Sequence, residues 1–206
     1  MAKNFASLAF TPAVQKLQEQ YGSRSAYARQ EKQVFQDGLT ESEMAFIAER
    51  DSFYMASIGA NGFPYIQHRG GPHGFIQAID PSTVAFVDVR GNKQFISIGN
   101  ISEQPNVSLI LMDYPHRTRL KLYAKAEVVP LENAPALVER LMPPGFHAKP
   151  ERLVKLHLEA YDWNCPQHIT PRFTQEELLQ ALDKQREYVE GLQREVERMK
   201  MLLEVR

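Results

Sequence analysis

The stretch AFVDVRGNKQFISIGN, residues 85–100, governs the reading of this chain. It opens as a buried strand, Ala85-Phe86-Val87 with Val89 after Asp88. It then breaks into Arg90, Gly91, Asn92 and Lys93 before apolar residues resume at Phe95, Ile96 and Ile98. A glycine, an amide and two cations within four residues at a strand end fit a surface hairpin. The sharper reading is a site for an anion, a phosphate above all, because glycine lets a ligand approach the backbone and cations hold its charge.

Outward from this stretch, short β-rich runs repeat at 53–58, 64–66, 75–79, 84–89, 107–112 and 120–129. Turn formers separate them at Ala60-Asn61-Gly62, Asp80-Pro81, Gly91-Asn92, Gln104-Pro105 and Tyr114-Pro115. Strands and turns at this spacing predict a mainly β chain, a closed β-barrel with flanking helices. Three zones result: an N-terminal helical segment over 1–50, the barrel over 51–172, and a long C-terminal helix over 173–206. In the first zone Thr11-Pro12 is an N-cap followed by proline at the first helical position, Gly22-Ser23 interrupts, and Thr40 with Glu43 forms a capping box. Residues 131–142 predict a helix on the barrel's flank, stopped by Pro143-Pro144-Gly145, and residues 153–161 a further helix.

The last zone opens on another capping box, Thr174-Gln175-Glu176-Glu177. Leu182, Val189, Val196 and Leu203 then repeat at heptad spacing, with Leu178, Gln185, Leu192 and Met199 in the intervening register. This is a coiled-coil seam with Gln185 as its polar exception, and Glu195 and Lys200 occupy flanking positions suited to an interchain pair. A helix packing this stripe on its own barrel is the alternative.

The 206 residues are 43% hydrophobic and 24% charged, with a formal net charge of -1. A core can be buried, and no general attraction to nucleic acid or acidic membranes is implied. The single cysteine, Cys165, forms no intrachain disulfide, in agreement with a reducing compartment. Without a signal-like N-terminus or an apolar run of about 18–20 residues, a soluble cytoplasmic protein with no membrane partner is expected.

Cations recur beside Gly or Asn at strand ends. Arg69-Gly70-Gly71-Pro72 follows one strand, Asn92-Lys93 another, Asn100 ends the quoted stretch, and Arg117 and Arg119 flank the run at 120. Neither G-x-x-x-x-G-K-[ST] nor a strand-to-helix G-x-G-x-x-G occurs, which removes the main support for nucleotide hydrolysis and for a Rossmann fold. The histidines at 68, 73, 116, 147, 157 and 168 form no H-E-x-x-H, and no metal site is expected. Cys165 lacks the helix N-terminus that would lower a thiol pKa. The stretch 161–172, with Trp163, His168, Arg172 and two prolines, Pro166 and Pro171, reads either as a packed loop anchored by its tryptophan or as a rigid arm over a ligand.

This ordered set resembles the pyridoxamine 5'-phosphate oxidase-like proteins, with the FMN-binding split β-barrel, over about residues 45–172. Pro64-Tyr65 followed by Arg69 resembles the family's strand with a phosphate-binding arginine. Phe86-Val87-Asp88 resembles the strand bordering the flavin ring, and Asn92-Lys93 the basic pair at the phosphate. Pro105-Asn106-Val107 is similar to the strand after its usual turn, Arg119 to a polar flavin contact, and Trp163 and Arg172 to late residues that meet FMN across a dimer interface. The resemblance implies FMN as cofactor, held by Arg69, Gly70, Val87, Asp88, Asn92, Lys93, Asn100, Arg119, Trp163, His168 and Arg172. It implies a homodimer with FMN at its interface, in which Gly91-Asn92-Lys93 bends around the phosphate. His73 and His168 are the candidate proton donors or contacts for an unknown small-molecule substrate. Gly70-Gly71-Pro72-His73-Gly74 replaces the family's apolar run ending in lysine, and no R-L-H-type motif for a substrate phosphate follows, so pyridoxal phosphate synthesis is not expected. An FMN-dependent oxidoreductase, a non-enzymatic flavin-binding or redox-sensing protein, and a split barrel for haem or a deazaflavin remain the alternatives.

Overall fold

Alternation of apolar and polar residues builds the central sheet. The computed structural model describes residues 4–32, 37–163 and 167–204, with side chains through residue 201. It forms two units, Met1–Asp113 with Thr118–Gln167, and Tyr114–Arg117 with His168–Arg206.

The first unit carries seven antiparallel strands: β1 Ser52–Ile58, β2 Pro64–Gly70, β3 Ile76–Asp80, β4 Thr83–Val89, β5 Asn106–Asp113, β6 Thr118–Val129 and β7 Pro150–Trp163. They pair in the order β2-β1-β5-β6-β7-β4-β3. Period-two burial sends Phe53 and Met55 of β1, Leu109 and Leu111 of β5, and Leu120 and Leu122 of β6 into one core. The sheet curls on itself. Strands β1 and β4 stand four places apart in the order, yet the rings of Phe53 and Phe86 meet edge-on at 5.2 Å. The two edges, β2 and β3, do not pair with each other, which gives a split barrel. Strand β4 is buried on both faces, because Ala85 and Val87 pack outward with Leu153 and Leu141 beside the short helix α6, Pro135–Arg140.

The N-terminal part supplies α1 Phe5–Ala9, α2 Pro12–Gln20, α3 Arg24–Glu31 and α4 Glu41–Ala48. Thr11 caps α2 with proline at its first position, and the capping box of α4 is formed by Thr40 and Glu43. Gly22, at φ 74, turns the chain between α2 and α3 in a conformation open to glycine.

One local expectation is corrected, and one bland alternative falls. Residues 153–161 are strand, not helix. Their Leu, Lys and Glu residues favour helix locally, but Val154, Leu156, Leu158 and Ala160 are buried with period two between β6 and β4. The quoted stretch is also no hairpin: after β4 the chain enters a helix, α5, Ile96–Glu103. Its three isoleucines and Gly99 carry little helix propensity, and burial of Ser97 and Ile101 against the sheet holds it.

In the second unit, α7 spans Gln175–Glu204. Its capping box is formed: the Thr174 hydroxyl accepts from the Glu177 amide at 3.2 Å, and the Glu177 carboxylate accepts from the Thr174 amide at 2.6 Å. In the turn Tyr114–Arg117, Arg117 adopts φ 53, and the Arg172 guanidinium lies 4.9 Å from the centre of the Tyr114 ring. Among the described residues no helix is long and apolar enough to cross a membrane.

Candidate anion site at the barrel seam

Strand β2 delivers Arg69 and strand β4 delivers Asp88 to the seam where the sheet closes. The Arg69 guanidinium bonds the Asp88 carboxylate. From β7, in direct register with Asp88, Arg152 donates to the other carboxylate oxygen at 3.0 Å. Asp88 is 5% exposed. A carboxylate so buried is tolerable because two guanidinium groups pair with it. Arg69 also lies 5.5 Å from the Phe86 ring centre and Arg152 5.1 Å from that of Phe95. The Nε atom of Arg69 is buried without a hydrogen-bond partner among the described residues, leaving a donor in the wall.

The loop 90–95 and the start of α5 complete a cleft of about 60 Å³ around these groups. That is the scale of one small anion, against about 300–1,000 Å³ for pockets that enclose a drug-sized ligand. Lys93 lines it, exposed, and among the described residues it makes no ion pair. Lys93 at φ 62 and Phe95 at φ 54 sit in the left-handed region, which is strained for such side chains. The Asn92 carboxamide accepts from the Gln94 amide at 3.1 Å and helps hold that bend. Gly91, by contrast, is not at positive φ and has open space at its Cβ position. The bend is therefore made by Lys93 and Phe95.

No side chain caps α5, and Ile96, Ser97 and Ile98 of its first turn line the cleft. An uncapped helix start presents amide donors and a positive dipole end. The helix is moored at two points. Ser97 donates to Gln67 on β2 at 2.7 Å, and Asn100 donates to Ser57 on β1 at 3.0 Å. Arg69, Arg152, Lys93 and this helix start converge on one space, a donor set suited to a phosphate.

The other expected residues are not among those that line this cleft. Val87 packs in the outer core beside α6, and Gly70 ends β2 outside the cleft lining. Asn100 moors α5 and borders a different cleft with Gly59 and Asn61. Arg119, on β6, is absent from the cleft lining and has a buried Nε without a partner. His73 holds the carbonyl of Glu49 at 2.6 Å through Nδ1. His168, at φ 65, and Arg172 belong to the second unit.

Trp163 ends β7, eleven residues beyond Arg152, about 35 Å along an extended strand. It packs edge-on against Phe46 and donates its indole N–H to Glu43 at 2.7 Å. Burial pushes the Glu43 carboxyl up, but hydrogen bonds from the Thr40 hydroxyl, the Trp163 indole and the Thr40 backbone outweigh it and hold it below the usual carboxylate range.

The family described as pyridoxamine 5'-phosphate oxidase matches residues 39–161. The chain belongs to that family. Among solved structures, the FMN-binding protein of Syntrophomonas wolfei subsp. wolfei aligns over 74% of this chain and 97% of its own, at a TM-score of 0.50 and 11% identity. HupZ of Group A Streptococcus aligns over 66% of this chain and 99% of its own, at 0.49 and 16%. A protein from Clostridium acetobutylicum related to general stress protein 26 aligns over 66% and 94%, at 0.44 and 12%. At 11% identity the first of these shows a shared fold. No curated protein matches the chain.

Within this family frame, Arg152, Glu151, Gln67 and Ser97 are among the cleft residues that sequence reasoning missed, and Arg152 also donates to the Glu151 carboxylate at 2.9 Å. Arg152 opens a run with helical propensity, and only the cross-strand register with Asp88 brings it to the site. No local signal marks it.

Proposed function

We propose that the protein is an FMN-dependent oxidoreductase whose seam cleft seats the flavin's phosphate. The observation that carries this reading is the convergence of Arg69, Arg152 and Lys93 on the start of α5, which no side chain among the described residues caps. Membership of the pyridoxamine 5'-phosphate oxidase family supports it.

Each charge-assisted contact to a sheltered phosphate contributes about 1.5–3 kcal/mol. Asp88 bonds both guanidinium groups, and Lys93 adds a charge that makes no ion pair among the described residues. When bound, the flavin supplies electron transfer to or from a small-molecule substrate, while the chain binds and orients it. Trp163 stands a strand's length from Arg152 in its own chain. The reading therefore takes the protein as a homodimer, in which Trp163, His168 and Arg172 approach the cleft of a second copy.

The test is the absorbance of freshly purified protein, followed by mass identification of the pigment released by heat. Flavin absorbance with released FMN is expected in the wild type, and loss of FMN with unchanged circular dichroism in Arg69→Ala/Lys93→Ala. Equal FMN affinity in that double variant overturns the phosphate assignment. Release of a deazaflavin or haem replaces FMN, and a colourless protein that rejects added FMN overturns the reading altogether.

A further inference from the structure

The 30-residue helix α7 runs for about 45 Å. Leu178, Leu182, Val189, Leu192, Val196 and Met199 along it are 43–58% exposed. A helix carrying Gly191 in its middle draws little stability from propensity alone, and a continuous apolar stripe on it calls for a partner. The repeat is seven residues, which sets a left-handed supercoil.

We infer that α7 pairs with α7 of a second copy as a parallel, in-register, two-stranded coiled coil. The inference is independent of the flavin reading. Three features of the helix select this arrangement. Leu182, Val189 and Val196 occupy one core position of the heptad, while Leu178, Gln185, Leu192 and Met199 occupy the other. β-Branched Val189 and Val196 at the first, with Leu178 and Leu192 at the second, favour two parallel strands.

Gln185 is the second feature. In a parallel, in-register pair it meets Gln185 of the other copy, where each carboxamide can both donate and accept. A shifted or antiparallel pair sets it against apolar neighbours and leaves that amide unsatisfied. The third is charge: a parallel pair places Glu195 beside Lys200 of the other copy. An antiparallel pair sets like flanks against each other and separates those two residues.

The full chain, with Cys165→Ser as background, tests this through single cysteines. Leu178→Cys and Met199→Cys lie near opposite ends of the seam, and Arg194→Cys lies on the outer face. All three positions are on one helix, and the first two are exposed in a single chain, so folding is retained. Under a mild glutathione redox buffer, Leu178→Cys and Met199→Cys are both expected to form covalent dimers, with Arg194→Cys remaining several-fold behind. Failure of both seam variants to cross-link overturns the proposal, as an antiparallel pair would produce. Equal cross-linking of Arg194→Cys also overturns it, because random collision then suffices. Glu195→Lys should lower the Leu178→Cys yield, and adding Lys200→Glu should restore it. None of these readouts depends on bound flavin.

Discussion

Asp88→Asn is the most informative single change at the seam. The native carboxylate is 5% exposed and is shared by Arg69 and Arg152, from strands β2 and β7. The amide keeps the shape but removes the charge, and it presents an N–H group where one guanidinium needs an acceptor. Breaking a buried ion pair at one partner costs about 3–5 kcal/mol. For a chain of this size each kcal/mol moves the thermal midpoint by about 2–4 °C. The ligand-free variant should therefore melt roughly 6–20 °C below wild type. The cleft also gains one unit of positive charge, so an added phosphate dianion regains part of the loss. The assay is thermal unfolding with and without inorganic phosphate and FMN, in low salt. A larger phosphate-induced stabilisation in the variant than in wild type is expected. A ligand-free variant melting within about 1 °C of wild type would refute the claim that this ion triad closes the barrel.

Three further outcomes follow from named contacts. Arg152→Ala should weaken FMN binding about 10- to 150-fold, from the loss of about 1.5–3 kcal/mol, as read by fluorescence quenching; unchanged affinity removes Arg152 from the site. Lys93→Gly relieves a left-handed lysine and should gain up to about 1 kcal/mol in urea unfolding while it lowers FMN affinity; a stability loss contradicts the strain assigned there. Glu43 has its carboxyl held low in the folded state, so its contribution is present above the ordinary carboxylate range and is lost as pH falls through the folded value. The stability gap between wild type and Glu43→Gln should thus be widest near neutral pH and shrink on acidification, measured by urea unfolding across that range. A gap independent of pH would be inconsistent with a charged Glu43 binding the Trp163 indole.

Legibility in the sequence followed the range of the interaction. Thr40 with Glu43, and Thr174 with Glu177, are three residues apart, and both capping boxes were readable directly. The strands from β1 to β6 were readable because alternation and turn residues are also local. Strand β7 was not, since its helical composition is overridden by neighbours on β4 and β6 that are distant in sequence. Helix α5 hid behind β-branched residues and a glycine. At the candidate site, Arg69, Asp88, Asn92 and Lys93 stood out as charges or amides at strand ends. Arg152, Gln67 and Ser97 had no such mark, because their place is set by register across the sheet and by the docking of α5.

The wall contributed by β7 also fixes an order of events during synthesis. Asp88 and Arg152 are 64 residues apart, and β4 holds its inward place between β3 and β7. When β4 has left the ribosome its second neighbour does not yet exist, and its apolar residues and the Asp88 carboxylate await a strand still to be translated. Such distant pairing slows folding and prolongs the exposure of strand edges. A nascent chain ending before residue 150 therefore lacks the side of the seam cleft that Arg152 supplies. Completion of the cleft belongs to the last stage of folding, and any truncation upstream of β7 yields an open, aggregation-prone sheet.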